Sequence, residues 1–553
     1  MATAIPICSP AAPKTMPAED CRRQYTPSVW GDFFLTYQPC TAEELLSMEE
    51  KVQAKKEMVK RILLEAGASN DLLRKLELVD KLERLGVAHH YEQEIDELLQ
   101  AVFHDKYGGS DDLYVTSLRF YLLRKHGYAV SSDVFVKFRD DQGNISSDDV
   151  KTLVMLYDAA YLRIRDEEML DNIISLNRSR LQSLMKTNLE PALQKEVRWT
   201  LDTPRFRRVE RVEARRFISL YEKNPARDNT LLEFAKLDYN ITQVLYCKEL
   251  KELTMWWKDF QSRANNLMFA RDRIVEMYFW MMAIIYEPCY SFARVWVTKM
   301  AISLALLDDV YDNYTSTEES HIFTIAMERW DRKAMEQLPE NLRPFYDYLL
   351  SSTDEIVEEL KIQNNKNAEM VKKVLIDAAK CYHSEVKWRD SHYVPADVEE
   401  HLQISVPSIA AMHTITSAFI SLGHVTTREA VECAFTYPKI IRGIAILARI
   451  SNDIVSQERE QASEHMASTV QTCMKQYGVT VAEANEKLRA INEKAWMDIV
   501  EECLYQEHFP IALSKKVATF GQSIDFIYKS VDAYTIPSKL KDTLASLYVK
   551  FII

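Results

Sequence analysis

The sequence predicts an all-α protein with two large helical domains, and three features support this. Only 11 of the 553 residues are glycine, whereas globular proteins average about 7%, and good helix formers such as Leu, Glu, Lys and Ala are frequent. Apolar residues recur at helical spacing from Ala42 onward. Because single hydrophobic cores stop growing near about 250–300 residues, a chain of this length is expected to divide into two domains.

Charge and cysteine content exclude several classes of protein. The chain has 69 Lys plus Arg against 82 Asp plus Glu, and this net charge of −13 argues against broad nucleic-acid or anionic-membrane binding. No two of the nine cysteines form a C-x-x-C pair, which disfavours a disulfide framework or a zinc site. Neither a membrane-spanning run nor a targeting segment is evident. We therefore expect a cytoplasmic monomer without nucleic-acid partners and without stable membrane insertion.

The helical pattern divides the chain at a polar segment. Residues 1–20 are rich in Ala and Pro and are expected to form a disordered arm. The segment 222–230 (EKNPARDNT) is the best candidate boundary, giving domains at 21–225 and 226–553. Beyond it the helices become more apolar and aromatic, which indicates buried helices and allows an interior cavity. Further helices are predicted over 73–85, 114–126, 150–158 and 190–199.

An acidic stripe ends one of the apolar helices. In MAISLALLDDVYD, Asp308 and Asp312 are i and i+4 and share one helix face, whereas Asp309 lies about 100° round the helix. Neighbouring carboxylates repel one another unless a cation lies between them. Oxygen ligands without His or Cys favour Mg²⁺ or Mn²⁺ over zinc. Taken alone, however, the motif is more typical of a hydrated helix end than of a metal site.

A second stripe strengthens the metal hypothesis. Asn452, Ser456 and Glu460 in RISNDIVSQERE are spaced i, i+4 and i+8, so an amide, a hydroxyl and a carboxylate share one helix face. The preceding run IIRGIAILARI is apolar. Two such stripes facing each other would bind several Mg²⁺ ions with a polyanion between them.

Arginines and aromatic residues complete the predicted site. Arginine binds phosphate oxygens through two donors at once, and aromatic ring faces stabilise cations. The candidate phosphate ligands are Arg271, Arg273 and Arg449. The aromatic residues expected near these charges are Phe279, Trp280, Tyr286, Tyr290, Tyr528 and Tyr534.

With these residues identified, the chain resembles plant class I terpene synthases, and most of all angiosperm sesquiterpene synthases. The resemblance extends from Arg22 to the C-terminus. It is carried by LLDDVYD, by N-D-x-x-S-x-x-x-E from Asn452 and by the R-x-R of Arg271 and Arg273. Supporting signatures are MWWKDF, FRDDQGN, LLEFAKLDYN, YEPCYSFAR and FIYKSVDAYT.

The resemblance implies an N-terminal relic α-barrel that caps a C-terminal class I terpenoid synthase bundle. That bundle would hold three Mg²⁺ ions, with Mn²⁺ as a substitute, and the substrate diphosphate. The metal would be bound by Asp308, Asp312, Asn452, Ser456 and Glu460, with Asp309 in support. The diphosphate would be held by Arg271, Arg273 and Arg449, together with the metal-binding Asp308, Asp312 and Asn452. The catalytic pocket or its lid would include Trp280, Tyr528, Asp532 and Tyr534, beside Arg271 and Arg273.

Three features depart from the family pattern. Six residues, rather than eight, separate Arg23 from Trp30 in the N-terminal arginine–tryptophan motif. Gln461, Ala462 and Ser463 stand where the family usually has a basic residue after Glu460. Val406-Pro407-Ser408 occupies the usual helix break, and proline is expected to bend the helix where it lines the pocket. No D-x-D-D occurs in the N-terminal half, so protonation-initiated cyclisation is not expected.

The resulting hypothesis is a sesquiterpene synthase that ionises farnesyl diphosphate with Mg²⁺ and releases diphosphate. Its product would be a hydrocarbon or an alcohol, and the sequence assigns no general base. Two alternatives stay open. One is a monoterpene synthase acting on geranyl diphosphate, and the other is a non-catalytic helical scaffold.

Overall fold

The computed structural model describes residues 25–105, 110–264, 270–391, 393–461 and 468–553, with the side chains of 460 and 461 left undescribed. All regular elements within these ranges are helices, which confirms the all-α prediction. The predicted disordered arm, residues 1–20, and Arg22 and Arg23 lie outside the described residues.

Among the described residues, nine α-helices precede the proposed domain boundary. They are α1 (Phe33–Thr36), α2 (Ala42–Ala68), α3 (Leu72–Arg84), α4 (Glu92–His104), α5 (Leu113–Lys125), α6 (Val150–Ala160), α7 (Glu168–Leu184), α8 (Pro191–Asp202) and α9 (Glu210–Tyr221). The helices predicted over 73–85, 114–126, 150–158 and 190–199 correspond to α3, α5, α6 and α8. The boundary between 225 and 226 falls in the segment that joins α9 to the next helix, and it stays a prediction.

The second half of the chain contains the longer and more buried helices. They are α10 (Asn229–Arg263), α11 (Ile274–Ile284), α12 (Ser291–Asp309), α13 (Thr317–Arg329), α14 (Arg343–Ile362), α15 (Met370–Asp390), α16 (Val398–Ser408), α17 (Ala411–Ser421), α18 (Arg428–Ala434), α19 (Lys439–Gln461), α20 (Thr469–Tyr477), α21 (Val481–Tyr505), α22 (Ile511–Ile527) and α23 (Lys541–Tyr548).

Helix starts are encoded locally. Thr41 accepts a hydrogen bond from the amide of Glu44, and the Glu44 side chain accepts one from the amide of Thr41. This reciprocal capping satisfies two donors that a helix start would otherwise leave unpaired. Asp71, Asp112 and Asp228 each cap a helix through one carboxylate. Such caps explain why element starts could be read from short sequence signals.

Ion pairs join the two halves of the chain. Glu493 of α21 lies within 2.9 Å of Arg163 and 2.6 Å of Arg207. Arg165 donates two hydrogen bonds of 2.7 Å to the carboxylate of Asp498. These contacts place the first half of the chain against the bundle that contains the cavity described below.

One stretch of the bundle, Val398–Ser421, has the length and hydropathy of a membrane span. It comprises α16 and α17, and 72% of its most apolar window is buried inside the protein. The chain bends between the two helices, where Ala410 adopts a left-handed conformation with φ +58°. This burial and bend are those of core helices that pack against their neighbours.

Candidate active site

A cavity of about 190 Å³ lies inside the C-terminal bundle. Its walls come from α11, α12, α15, α17 and α19, from the bend before α17, and from α22 with the segment that follows it. Its lining includes apolar residues such as Met277, Leu304 and Phe520. Charged residues line it mainly where α12, α15 and α19 end, and we call this charged part of the lining the mouth. The charged residues are Arg271, Asp308, Asp312, Glu385, Arg449, Arg459 and Asp532.

The predicted aspartate stripe lies on the cavity wall. Asp308 and Asp312 both line the cavity. Helix α12 ends at Asp309 and continues as a π-helical turn, Val310–Tyr314, in which the Thr315 amide donates to the Val310 carbonyl at 3.1 Å. Such wide turns are rare and are frequent at functional sites. Asp309 is buried and is not among the residues that line the cavity, as its position on the helix predicted, and the metal-binding roles of the three aspartates stay predictions.

Arg271 links the first two aspartates. Its Nη2 lies 2.7 Å from Asp308 Oδ2 and its Nε lies 2.9 Å from Asp309 Oδ1. Burial and the neighbouring Asp312 carboxylate raise the pKa of Asp308 to about 6. Burial raises the pKa of Asp309 to about 6 although Arg271 opposes the shift. Arg271 therefore does not fully compensate the negative charge of these buried carboxylates, and a further cation beside them would stabilise their ionised form.

The second stripe supplies further oxygen ligands. Asn452 lines the cavity, and one turn later Ser456 is only 1% exposed. The Ser456 hydroxyl has no hydrogen-bond partner among the described residues. Glu460 belongs to α19, but its side chain lies outside the described residues. Carboxylate, amide and hydroxyl oxygens form a donor set that fits a hard divalent cation.

Arg449 reaches the cavity across the bend between α16 and α17. Its Nε donates to the Ser405 carbonyl at 3.1 Å, and its Nη2 lies 3.3 Å from Glu385 Oε1. The Ser405 carbonyl is in the last turn of α16, where the helix leaves acceptors unpaired. Pro407 lies inside α16, and residues 408–411 line the cavity. This confirms the expectation that the bend forms part of the pocket.

Arg273 has a different environment from Arg271. It is fully buried and does not line the cavity. Its guanidinium donates to the carbonyls of Asp272, Tyr534, Thr535 and Thr26 at 2.8–3.1 Å, and to the Thr26 hydroxyl at 3.0 Å. Arg273 therefore ties the N-terminal segment to the loop after α22. Its predicted contact with a diphosphate stays a prediction.

Five of the six predicted aromatic residues separate into two groups, whereas Phe279 is fully buried against Phe526 and does not line the cavity. Trp280 lies 5.7 Å from both the Tyr528 and the Tyr534 rings, and all three line the cavity. Tyr286 and Tyr290 instead line a second cavity, which includes residues of α4 and α22. The expectation that these two tyrosines lie beside the charges was wrong, because the helix of Trp280 ends at Ile284 and both tyrosines lie in the segment beyond it.

Sequence reasoning missed many residues of the cavity, among them Tyr25, Tyr382, Glu385 and Arg459. Tyr25, Tyr382 and Glu385 are far in sequence from both stripes, so no local signal indicated them. Arg459 could have been found, because it is three residues after Ser456 and seven after Asn452 and thus shares their helix face. Its Nη1 lies 2.9 Å from Asp532 Oδ2.

Oxygen-rich stripes and arginines at the mouth of an apolar, aromatic cavity in a helical bundle define a metal-dependent enzyme acting on a prenyl diphosphate. Comparison with known proteins identifies the family. Residues 29–201 match the model of the terpene synthase N-terminal domain, and residues 258–498 match the terpene synthase family metal-binding domain. The chain belongs to the terpene synthase family.

Curated plant relatives match over nearly the whole chain. The chain is 50% identical to the (E)-beta-caryophyllene synthase of Zea mays, over 97% of each chain. It is 43% identical to the beta-sesquiphellandrene synthase of Sorghum bicolor, over 96% of each chain. Among solved structures, isoprene synthase from grey poplar, in complex with three Mg²⁺ ions and dimethylallyl-S-thiolodiphosphate, superposes with a TM-score of 0.85 at 27% identity. That match covers 95% of this chain and 99% of the poplar chain.

Proposed function

We propose that the protein is a sesquiterpene synthase that ionises farnesyl diphosphate and releases diphosphate. The observation that carries the proposal is the division of one cavity into a charged mouth and an apolar, aromatic interior. A prenyl diphosphate has the same division between its diphosphate and its hydrocarbon chain. The sesquiterpene products in the names of the relatives support a fifteen-carbon substrate over geranyl diphosphate.

The charged mouth would bind the diphosphate. Asp308, Asp312, Asn452, Ser456 and Glu460 would hold Mg²⁺ ions, three by analogy with the poplar isoprene synthase complex, and Mn²⁺ is expected to substitute. Bound Mg²⁺ would supply Lewis-acid stabilisation of the negative charge that develops on the leaving group. Arg271 and Arg449 would donate hydrogen bonds to the departing oxygens, as preorganised donors do in other active sites. Both arginines now bind carboxylates, so they are already located at the mouth.

The cavity interior would protect the carbocation that remains. Trp280, Tyr528 and Tyr534 form a connected aromatic wall whose ring faces can stabilise positive charge. Tyr534 precedes Thr535, and the carbonyls of both accept hydrogen bonds from Arg273. This anchorage would hold the loop over the cavity and keep water from capturing the cation.

Turnover assays with three substrates test the proposal. Farnesyl, geranyl and geranylgeranyl diphosphates are incubated with the protein in Mg²⁺, in Mn²⁺ and in chelator, and volatile products are analysed. We expect a sesquiterpene from farnesyl diphosphate in either metal and none in chelator. Preferred turnover of geranyl diphosphate would favour a monoterpene synthase, and absence of any product would favour a non-catalytic scaffold.

Two further properties are proposed on weaker grounds. A cytoplasmic location is supported by the nine scattered cysteines, none of them in a C-x-x-C pair, which fit a reducing compartment. We also propose a monomer, which light scattering coupled to size exclusion would test. A fluorescent fusion of the full chain that accumulates in plastids would contradict the proposed location.

A further inference from the structure

Three arginines converge on the cavity mouth, one just before α11 and two on α19, and each is paired with a carboxylate. Arg271 pairs with Asp308 at 2.7 Å, and Arg449 pairs with Glu385 at 3.3 Å. The third pair joins Arg459 of α19 to Asp532 at 2.9 Å. Arg459 belongs neither to the R-x-R motif nor to the second stripe of Asn452, Ser456 and Glu460, so it has no predicted role from either.

The position of Arg459 suits it to the anion that the metal-binding face would attract. It is one turn beyond Ser456 and two turns beyond Asn452, so it lies on the metal-binding face of the helix. The chain has Gln461, Ala462 and Ser463 directly after this stripe, so the last turn of α19 has Arg459 as its only basic residue.

The partner of Arg459 lies on the loop 528–535, which contributes several residues to the cavity lining. Asp532 accepts the Thr535 amide on its second oxygen at 3.0 Å, and Tyr534 between them lines the cavity. The Arg459 side chain is 36% exposed, whereas that of Asp532 is 5% exposed. Ion pairs with an exposed partner contribute little stability, so a polyanion that offers bidentate oxygens can displace the carboxylate.

We propose that Arg459 is a third diphosphate-binding arginine and that it exchanges Asp532 for the diphosphate when substrate binds. This inference rests on the proposed function. The exchange releases Asp532 and couples occupancy of the mouth to the loop 528–535. Binding of the substrate diphosphate thereby affects the position of Tyr528 and Tyr534, which belong to this loop and to the aromatic wall.

The direct test is binding of inorganic pyrophosphate in MgCl₂ at constant ionic strength, measured by calorimetry. Arg459→Gln is expected to weaken binding about tenfold to hundredfold, because one charge-assisted contact is lost. Arg459→Lys should restore part of the affinity, since it keeps the charge but not the bidentate fork. Asp532→Asn should bind pyrophosphate as tightly as the wild type or more tightly, because Arg459 is no longer held by a carboxylate.

The matched control is Arg442→Gln on the same helix. Arg442 pairs with Glu399 at 2.6 Å and its side chain is 38% exposed. The substitution therefore removes a comparable ion pair that lies away from the cavity. Its pyrophosphate affinity should equal that of the wild type. Melting temperatures of all variants establish that they are folded.

Hydrogen exchange of the loop tests the coupling. Pyrophosphate with Mg²⁺ should change exchange at 528–535 in the wild type and in Arg442→Gln, but not in Arg459→Gln. Equal pyrophosphate affinity of Arg459→Gln and the wild type would overturn the proposal, even if farnesyl diphosphate is still converted. If the wild type itself neither binds pyrophosphate nor converts a prenyl diphosphate, the proposed function fails instead.

Discussion

The role of Arg273 can be tested directly, because a structural anchor and a phosphate ligand would respond differently to its substitution. The structure gives its guanidinium five hydrogen bonds, three of them to carbonyls in Thr26, Tyr534 and Thr535. We predict that Arg273→Met releases the N-terminal segment from the loop after α22. The charge-assisted bonds are worth about 1.5–3 kcal/mol each, and leaving their buried acceptors unpaired adds to the loss.

Bonds of this kind are not additive, so the expected cost of detaching the two segments is about 3–5 kcal/mol. This corresponds to at least about a hundredfold faster amide exchange through local opening. Thr535 is a suitable probe, because its amide is bonded to Asp532 at 3.0 Å. Peptides covering 25–30 and 528–536 should lose protection together, and water capture should increase the share of alcohol products.

Magnesium-dependent pyrophosphate binding separates the two roles. An anchor that lies outside the cavity should leave the affinity within about threefold of wild type. The control is Arg263→Met, which removes an exposed arginine whose partner is Asp259. Unchanged exchange of both segments, combined with pyrophosphate binding weakened more than about tenfold, would refute the anchor and favour direct contact with diphosphate.

Three other substitutions have expected outcomes. Asp308→Ala should abolish Mg²⁺-dependent pyrophosphate binding and lower turnover about a hundredfold to thousandfold with unchanged helicity by circular dichroism; retained binding would contradict its metal role. Glu276 is fully buried, and burial raises its pKa from 4.5 to about 7. In denaturant titrations, the free energy of unfolding of Glu276→Gln should exceed that of the wild type by up to about 3 kcal/mol above pH 7, and this difference should grow as the pH rises from about 4.5 to about 7. The third substitution is at Glu493, where burial alone would raise the pKa, but the neighbouring Arg207 and Arg163 lower it to about 2. Glu493→Gln should cost about 1–2 kcal/mol at neutral pH, discounted for exposure, and the difference should vanish as pH falls from about 4.5 toward 2; a pH-independent difference would contradict the ion pair.

Local patterns were sufficient wherever the physical cause is local. The 3.6-residue period ranked Asp308 and Asp312 above Asp309, and the cavity lining follows that ranking. The same period placed Asn452 and Ser456 on one face, and Pro407 marked the bend that lines the cavity. These features depend on backbone geometry within two or three turns of helix.

Contacts between distant segments were not encoded in any local pattern. Glu385 lines the cavity on α15, which packs against α12, and Tyr25 is held there by contacts with Arg271 and Asn313. Arg271 and Arg273 are two residues apart, yet one contacts the aspartates and the other binds carbonyls from both ends of the chain. Tyr286 was predicted beside the charged residues but lines a different cavity.

The sequence by itself determined that this chain is helical, that two oxygen-rich stripes end apolar helices, and that arginines accompany them. Helical periodicity and the chemistry of side-chain oxygens are properties of short segments. Only the tertiary structure decided which cation binds which carboxylate, and that Arg459 and Asp532 connect the metal-binding helix to the loop over the cavity. The Arg459–Asp532 pair joins residues 73 positions apart, and no spacing rule within one helix specifies such a pairing.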